Sequence, residues 1–598
     1  MTKNSEFDPL AFFLESEDEG DDYRFLPPVR EQVLMQPLID GEETFMSMEE
    51  AILEAKDYVF LTLWYFQPAT NLQSEKAKDK KIPPLPGMKK QNPRPLKTWL
   101  DLLEYITRVN GVEVRILLTD FDPVFSHHHP HAWIAYRAIK RIQNKLPKKD
   151  RSKCQVVCSL HSSKTGLIAD RAKKRVNNVF KAIKEKKVSI KAKLTNRPGL
   201  WKYFSYSGKK GFQLRKDADF LAYPASHHQK SCIIDDLVAY CGGLDITTAR
   251  LDNHKHNPGN KMSWHDIHCS VQGEIVKDLK RNFIGRWNHE MTPFQEFVES
   301  ANEVRIKKGV TQLPNPEITE LTDTGFQGRT FLSNSYAQML RTLTEESSFY
   351  TTPSIIRNDI EKAYEKAINN ATSFIYIENQ YFRALEISKW LVDKSKDTPG
   401  LQLIIVLPVA PEEARMKVLD EATTHGLALQ LESLNFLQDN FDGDIGIYSM
   451  VQNKPAKKKK LTNHCGSEMI YVHSKLLIID DYYCMIGSPN ANLRSFRVDT
   501  ELAVGWVSVS DVKEFRIKLW LELLGSGIDF SKLEAKDFVE QWDSVALGNK
   551  KVKKISPNTR KGFIVPHNIN KFKNKAKKNN FFPDEFAELS SDEEAYIA

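Results

Sequence analysis

The sequence predicts an α/β protein of two fused repeats, mixed sheets flanked by helices, facing one another as a bilobal pseudo-dimer. Three observations predict it. The pattern His-x-Lys-x4-Asp-x6-Gly-[Gly/Ser]-x-[Asp/Asn] occurs twice. It is His228, Lys230, Asp235, Gly242, Gly243 and Asp245 in the first copy, and His473, Lys475, Asp480, Gly487, Ser488 and Asn490 in the second. The step from histidine to first glycine is fourteen residues in both. A helix-then-strand stretch from residue 51, AILEAKDYVFLTLWYF, is echoed from residue 367 by AINNATSFIYIENQYF. A further apolar strand, Val112–Thr119, has its partner in Leu401–Val409. A chain of 598 residues also exceeds what one hydrophobic core organises.

Residues 1–32 read as an acidic tail ending at Pro27-Pro28, and the first repeat as 33–300. The repeat enters a helix at Met46–Lys56 and a strand at Tyr58–Tyr65. Alanines 51 and 367 are offset by 316, whereas the motif histidines are offset by 245, so the first repeat holds 316 − 245 = 71 extra residues. These are placed in insertions near 71–97, rich in proline and lysine, and 140–212, basic and broken by Gly, Asn and Pro. A linker, 301–340, leads to the second repeat, 341–547, and a basic then acidic tail, 548–598, expected to be irregular. In each motif a short apolar strand (Cys232–Ile234, Leu476–Ile479) turns at Asp235-Asp236 or Asp480-Asp481. A second strand (Val238–Cys241, Tyr482–Ile486) then runs into the glycine turn, where backbone amides can approach a phosphate. Helix, strand, helix, strand, motif is the rhythm of a buried α/β sheet.

The longest apolar runs are strand-sized, far short of the ~20 residues that span a bilayer. The acidic N-terminus lacks a basic region followed by an apolar one, so no cleaved secretory signal is expected. Seven cysteines, without zinc-site spacing, read as free thiols of a reducing compartment. A cytoplasmic protein, peripheral on membranes, is therefore expected, with export by a route lacking a cleaved signal left open. The net charge of +7 is unevenly placed: Lys140–Arg197, Lys457–Lys460 and Lys550–Lys578 are basic. Such patches suit an anionic partner, a membrane surface or a nucleic acid, or are solvated faces.

Two histidines with two lysines at equivalent positions suit phosphoryl chemistry. One histidine attacks phosphorus and the other protonates the leaving oxygen, then deprotonates water or an alcohol. Two ammonium groups and backbone donors neutralise the developing charge, so no metal and no cofactor is expected. Asp235 and Asp480 join His228, Lys230, His473 and Lys475 in the catalytic motif. At the far end of short strands they read mainly as turn residues.

These residues resemble the phospholipase D superfamily, whose hallmark is the duplicated His-Lys-Asp motif. GGLDITTARLD (242–252), WHDIH (264–268), FIGRW (283–287), IENQYF (377–382) and RSFRVDTELAV (494–504) resemble its phospholipase D branch. The resemblance implies a bilobal fold with one active site at the pseudo-dyad. It implies His228 as nucleophile, His473 as general acid/base, and Lys230, Lys475 and Asn490 as ligands of the phosphoryl oxygens. It further implies Asp266 and Glu501 as the carboxylates that orient the histidines. Asp245 stands where many copies have Asn, which weakens a phosphate-binding role for it. No stretch before the core resembles a calcium-binding C2 domain, so membrane targeting is expected from basic segments or loops.

The implied activity is hydrolysis of glycerophospholipids to phosphatidic acid and headgroup, with transphosphatidylation as a second outcome. A nuclease or other phosphodiesterase, a cardiolipin-synthase-like phosphatidyltransferase, and a non-catalytic binding protein are the alternatives. The expected partner is a phospholipid surface, with no obligate nucleic acid, and the expected state is a monomer. His127–His131 (HHHPH) reads as a metal site or a polar rim of the cleft. Trp64, Tyr65 and Phe66 read as cleft lining or core, and Lys457–Lys460 as a lipid contact or an exposed loop.

Overall fold

The computed structural model describes residues 7–16, 23–85, 92–126, 128–167, 169–187, 189, 194–195, 197–207, 211–257, 263–307, 310–347, 352–415, 419, 421–579 and 584. The first repeat folds around seven strands: β1 (Leu34–Ile39), β2 (Tyr58–Leu63), β3 (Glu113–Thr119), β4 (Cys154–Ser159), β5 (Ser231–Ile234), β6 (Val238–Gly242) and β7 (Ile267–Gln272). Their order across the sheet is β1-β7-β6-β5-β2-β3-β4. The second repeat supplies β8 (Ser335–Glu345), β9 (Phe374–Asn379), β10 (Gln402–Val406), β11 (Asp444–Pro455), β12 (Lys475–Ile479), β13 (Tyr483–Gly487) and β14 (Glu501–Ser508). They run β8-β14-β13-β12-β9-β10-β11, the same path with each strand replaced by its repeat partner, inside a sheet that extends to twelve strands. In both, the helix-connected trio is parallel (β2-β3-β4, β9-β10-β11) and the motif strands are antiparallel. The central strands are covered on both faces, so they read as runs such as LIIV and LLII rather than as alternation.

Helices repeat as well. α1 (Asp40–Glu54), α2 (Trp99–Tyr105), α3 (His129–Lys145) and, after β7, α5 (Ile275–Ile306) correspond to α6 (Asp359–Asn369), α7 (Leu385–Asp397), α8 (Glu421–Asn440) and α9 (Asp511–Leu524). The insertion carries α4 (Ala169–Lys184), and α10 (Phe538–Lys551) closes the second repeat. The two sheets meet through β6, β7, β13 and β14, where Cys241, Cys269, Cys484, Ile486 and Leu502 share one buried cluster. Burial lifts the thiols of Cys232, Cys269 and Cys484 far above the ordinary range, so they behave as small apolar packing residues.

Each β5–β6 and β12–β13 hairpin turns on two aspartates in the left-handed region, with φ of 53° and 56° at Asp235-Asp236 and 53° and 58° at Asp480-Asp481. Aspartate tolerates that conformation in tight hairpins. The first aspartate of each pair gathers backbone donors. Asp235 accepts from the N–H groups of Lys56, Asp57 and Tyr58 at 2.6, 3.0 and 2.7 Å. Asp480 does the same for Thr372, Ser373 and Phe374. The second aspartates bind the helix behind the sheet, Asp236 to Lys280 at 3.0 Å and Asp481 to Arg516 at 2.9 Å. Asp480→Ala orphans three partly buried N–H groups, and it should cost on the order of 3 kcal/mol in urea unfolding. Activity per folded molecule should stay near that of the parent.

The structure departs from the sequence reading at both ends and in one insertion. Phe12, Phe13 and Leu26 of the acidic tail are buried in the core of the second repeat, and Arg30–Glu31 pairs with β8. At the other end Ile564–Pro566 adds a strand to β11, so regular structure runs past residue 548. Both are short apolar pieces within charged sequence, too brief to show a period. The expected 140–212 insertion overlaps α3 and β4, which are repeat elements equivalent to α8 and β11. The inserted segment begins after Ser159 and carries its own small core, including Val176, Leu200 and Phe204. The linker is likewise trimmed, because α5 continues to Ile306 and β8 starts at Ser335.

Candidate active site

Backbone pairing carries each motif histidine to the opposite repeat. The short strand Trp264–His265 runs parallel to Tyr471–Val472, and the N–H of His473 donates to the His265 carbonyl at 2.7 Å. On the other side His227 bridges Thr500, and the N–H of His228 donates to the Thr500 carbonyl at 2.7 Å. The residue after each of these acceptors is a carboxylate, Asp266 or Glu501. Each histidine of one repeat is thereby set beside a carboxylate of the other.

The side chains complete that exchange. Nδ1 of His228 lies 3.0 Å from both oxygens of Glu501, and Nδ1 of His473 lies 2.6 Å from Oδ2 of Asp266. A ring whose Nδ1–H is held by a carboxylate presents a lone pair on Nε2. Lys230 donates to the carbonyl of His228 at 2.9 Å, and Lys475 donates to the carbonyl of His473 and to Gln380 at 3.2 Å. All four carboxylate and lysine side chains are buried.

The buried charges shape one another. Burial pushes the Lys475 ammonium down to about 7, with Asp266 opposing and Arg250 and Lys230 adding to the fall. Burial lifts the Asp266 carboxyl to about 7 against Lys475 and Arg250. His473 falls well below the usual imidazole range through burial, then Arg250, Lys475, Lys230 and His228. Burial would raise Glu501, but His228 and Lys230 outweigh it and hold the carboxyl below its usual value. The motif side chains of both repeats therefore form one electrostatic unit. An anion between them would relieve the crowding of cations.

The half-sites differ at one backbone position. A Cβ on Gly243 would lie 2.2 Å from Oδ1 of Asp266, so only glycine lets the short aspartate reach His473. Its repeat partner is Ser488, whose hydroxyl donates to the longer Glu501, alongside Ser495 at 2.6 Å. Gly243→Ala should displace Asp266 and lower kcat by about 10²-fold in steady-state assays, with an unchanged circular dichroism spectrum.

Asp235 and Asp480 are corrected from the catalytic group. Their carboxylates are spent on backbone N–H groups at the hairpin ends, and neither bonds a motif histidine or lysine. Asn490 is buried on the loop after β13, its N–H on Ser495 Oγ at 3.0 Å and its Oδ1 without a hydrogen-bond partner. Asp245 instead accepts from the N–H groups of Trp64 and Tyr65 at 3.0 and 2.9 Å, and stands 3.5 Å from Lys230 Nζ. Trp64 packs edge-on against His228, ring centroids 5.6 Å apart, and so lines the first half-site. Phe66 is core, and Lys457–Lys460 is an exposed loop. Of the histidine run, His127 lies outside the described residues. His129 is committed to Asp120 at 2.7 Å and to the Gly199 N–H at 3.2 Å, while His128 and His131 pack against Tyr65. Among the described residues these histidines join no metal-ligating group.

A different set could hold a metal ion. Asp40, His256, His265 and Glu522 place one ligand atom each within 4.8 Å of one another. Asp40 Oδ2, His256 Nε2 and Glu522 Oε1 are buried without hydrogen-bond partners. Two imidazoles and two carboxylates suit a divalent cation. His265 is itself clamped between Asp40 at 3.0 Å and Glu378 at 3.1 Å; burial lowers its pKa, but the two carboxylates outweigh it and raise it well above the usual range. The sequence reading expected no metal and missed this set, because its members are scattered from residue 40 to residue 522 with no local spacing. Gln380, Ser488, Ser495 and Arg250 were also given no role, although each lies inside a motif segment.

Comparisons with known proteins find similarity to phospholipases D. The phospholipase D family model matches residues 254–412 and 443–556, a span that includes the second motif. Phospholipase D alpha 3 of Arabidopsis thaliana is 27% identical over 401 residues, covering 50% of this chain and 48% of that protein. Phospholipase D gamma 2 of the same plant is 26% identical over 442 residues, covering 54% of this chain and 50% of that protein. The chain spans about half the length of the curated relatives it matches. Among solved structures, the phosphatidylserine synthase of Haemophilus influenzae Rd KW20 superposes with a TM-score of 0.46 at 12% identity, covering 87% of this chain and 95% of that one. The family match and these relatives support a place for the chain in the phospholipase D superfamily, in its phospholipase D branch.

Proposed function

We propose that this protein is a phospholipase D that cleaves glycerophospholipids to phosphatidic acid and free headgroup through a phosphohistidine. The observation that carries the reading is the crossed pairing of His228 with Glu501 and His473 with Asp266, flanked by Lys230 and Lys475. Nε2 of His228 attacks phosphorus as the bond to the headgroup oxygen breaks, and that oxygen leaves with a proton from Nε2 of His473, an imidazolium once the substrate's phosphate offsets the cations around it. In the second half His473 takes a proton from water as its oxygen bonds to phosphorus, and the P–N bond breaks to free His228. An alcohol in place of water gives a phosphatidyl-alcohol. The lysines and the amide of Asn490 stabilise the non-bridging oxygens in both halves. The relatives named phospholipase D support the lipid substrate.

The enzyme would work as a monomer, peripheral on a phospholipid surface and on its cytoplasmic side. No helix among the described residues is long and apolar enough to cross a membrane. The test is headgroup release from mixed phospholipid vesicles containing a little primary alcohol. Phosphatidic acid together with phosphatidyl-alcohol is the expected result. Absence of any lipid product, with cleavage of a nucleic acid instead, would overturn the lipid reading in favour of a nuclease.

A further inference from the structure

Arg250 has no part in the scheme above, yet it faces the same centre. Its Nη2 is 3.4 Å from Nε2 of His473, the ring nitrogen that meets the leaving oxygen. The guanidinium carbon sits over the Trp264 ring, 3.8 Å from its centroid, and the residue is only 9% exposed. Nε and Nη1 have no hydrogen-bond partner, and no carboxylate among the described residues lies within ion-pair distance of it. A buried guanidinium with two idle donors is costly unless an anion completes it.

Its place in the repeat gives the reason. Position 250 is equivalent to 495, as 245 is to 490, and the parallel bridges Phe66–Ile246 and Phe382–Ala491 hold the two loops in the same register. The second repeat has Asn490 with Ser495 at these positions; the first has Asp245 with Arg250. In the second, the serine supports Asn490 and leaves its amide free. In the first, the amide is replaced by a carboxylate that is turned onto the Trp64 and Tyr65 N–H groups. The half-site without an amide donor is thus the one with a guanidinium. The loop that carries it is fixed: a Cβ on Gly41 would lie 2.0 Å from the Arg250 carbonyl, and Asp252 takes the Trp264 N–H at 2.6 Å.

We propose that Arg250 is a phosphoryl-binding residue, which grips non-bridging oxygen of the phosphodiester and supplies the donors that Asp245 no longer provides. Nε and Nη2 share one edge of the guanidinium, the fork that matches two phosphate oxygens, and the idle Nη1 offers a further donor on the neighbouring edge. Trp264 holds the plane in place by cation–π stacking before the anion arrives. The inference rests on the phospholipase D reading of this site, and inorganic phosphate, a probe without lipid, separates the two.

The experiment compares the parent with Arg250→Met, Arg250→Lys and Arg250→Gly. Phosphate affinity is measured by calorimetry, and headgroup release is measured with and without millimolar guanidinium. Arg250→Met should weaken phosphate binding at least about 10-fold and lower kcat/KM by about 10²–10³-fold. Lysine should recover part of the loss. Free guanidinium should restore Arg250→Gly, because the vacated space on Trp264 accepts it; a scaffold role alone would not respond. Parent-like phosphate affinity in Arg250→Met, or a folded Arg250→Gly that guanidinium fails to restore, overturns the proposal. Weakened phosphate binding in the variants of a parent that releases no headgroup keeps the anion site and overturns the phospholipase reading. A parent that releases headgroup but binds no phosphate overturns the anion site and leaves the phospholipase reading standing.

Discussion

His228→Ala and His473→Ala are each expected to lower headgroup release by at least about 10⁴-fold while leaving thermal unfolding close to that of the parent. The two losses should differ in kind. Without His228 no phosphorus–nitrogen bond forms, so no labelled enzyme is trapped when a phospholipid carrying ³²P is quenched in alkali. Without His473 the leaving oxygen has no acid and water has no base. A substrate with a good leaving group, such as a p-nitrophenyl phosphodiester, bypasses the first need and not the second. His473→Ala should then accumulate the phosphohistidine from that substrate. Trapping on His473 in a His228→Ala background would exchange the roles. Turnover retained by either variant would remove the two-histidine mechanism.

Glu501→Gln should lower kcat by roughly 10³–10⁴-fold with little change in KM, the second large effect. The carboxylate accepts from Nδ1 of His228 with both oxygens 3.0 Å away. An amide in that place offers an N–H as readily as an oxygen. If it donates to Nδ1, the ring proton moves to Nε2 and the attacking lone pair is lost. The loss of negative charge also leaves Lys230, Lys475 and Arg250 less balanced, which tightens the hold on an anion as attack weakens. Phosphate affinity equal to or better than the parent, alongside the fall in kcat, is the signature to measure. Equal falls in kcat and phosphate affinity would mean that Glu501 builds the pocket rather than tunes the histidine.

Much of the site was legible because it is local. The His-x-Lys spacing sets both side chains on one face at the start of a strand, and the lysine reaches back to its own histidine's carbonyl in both repeats. The aspartate pairs announced hairpin turns, and the structure gives them left-handed φ at those residues. The position of Asp235 and Asp480 at the far end of β5 and β12 already argued against a catalytic reach, and the three N–H groups that each gathers explain their fixed spacing instead. The boundaries failed where the signal was short or shared. Ile564–Pro566 offers three residues to β11, a strand that ends over a hundred positions earlier in the chain. α3 and β4 were masked by lysine-rich composition, though their apolar faces are buried as deeply as those of their partners in the second repeat.

By itself the sequence determined the duplicated motif, the α/β rhythm and the identity of the histidines, lysines and strand-ending turns, since each depends on residues within a few positions of one another. Only the tertiary structure decided that Glu501 serves His228 and Asp266 serves His473, that Gly243 yields to a carboxylate where Ser488 supports one, and that Arg250 lies against His473. Those pairs are separated by 273, 207 and 223 residues in the histidine contacts. Their distances are set by how two sheets of like strand order pack across a shared core. No spacing along one chain encodes that packing.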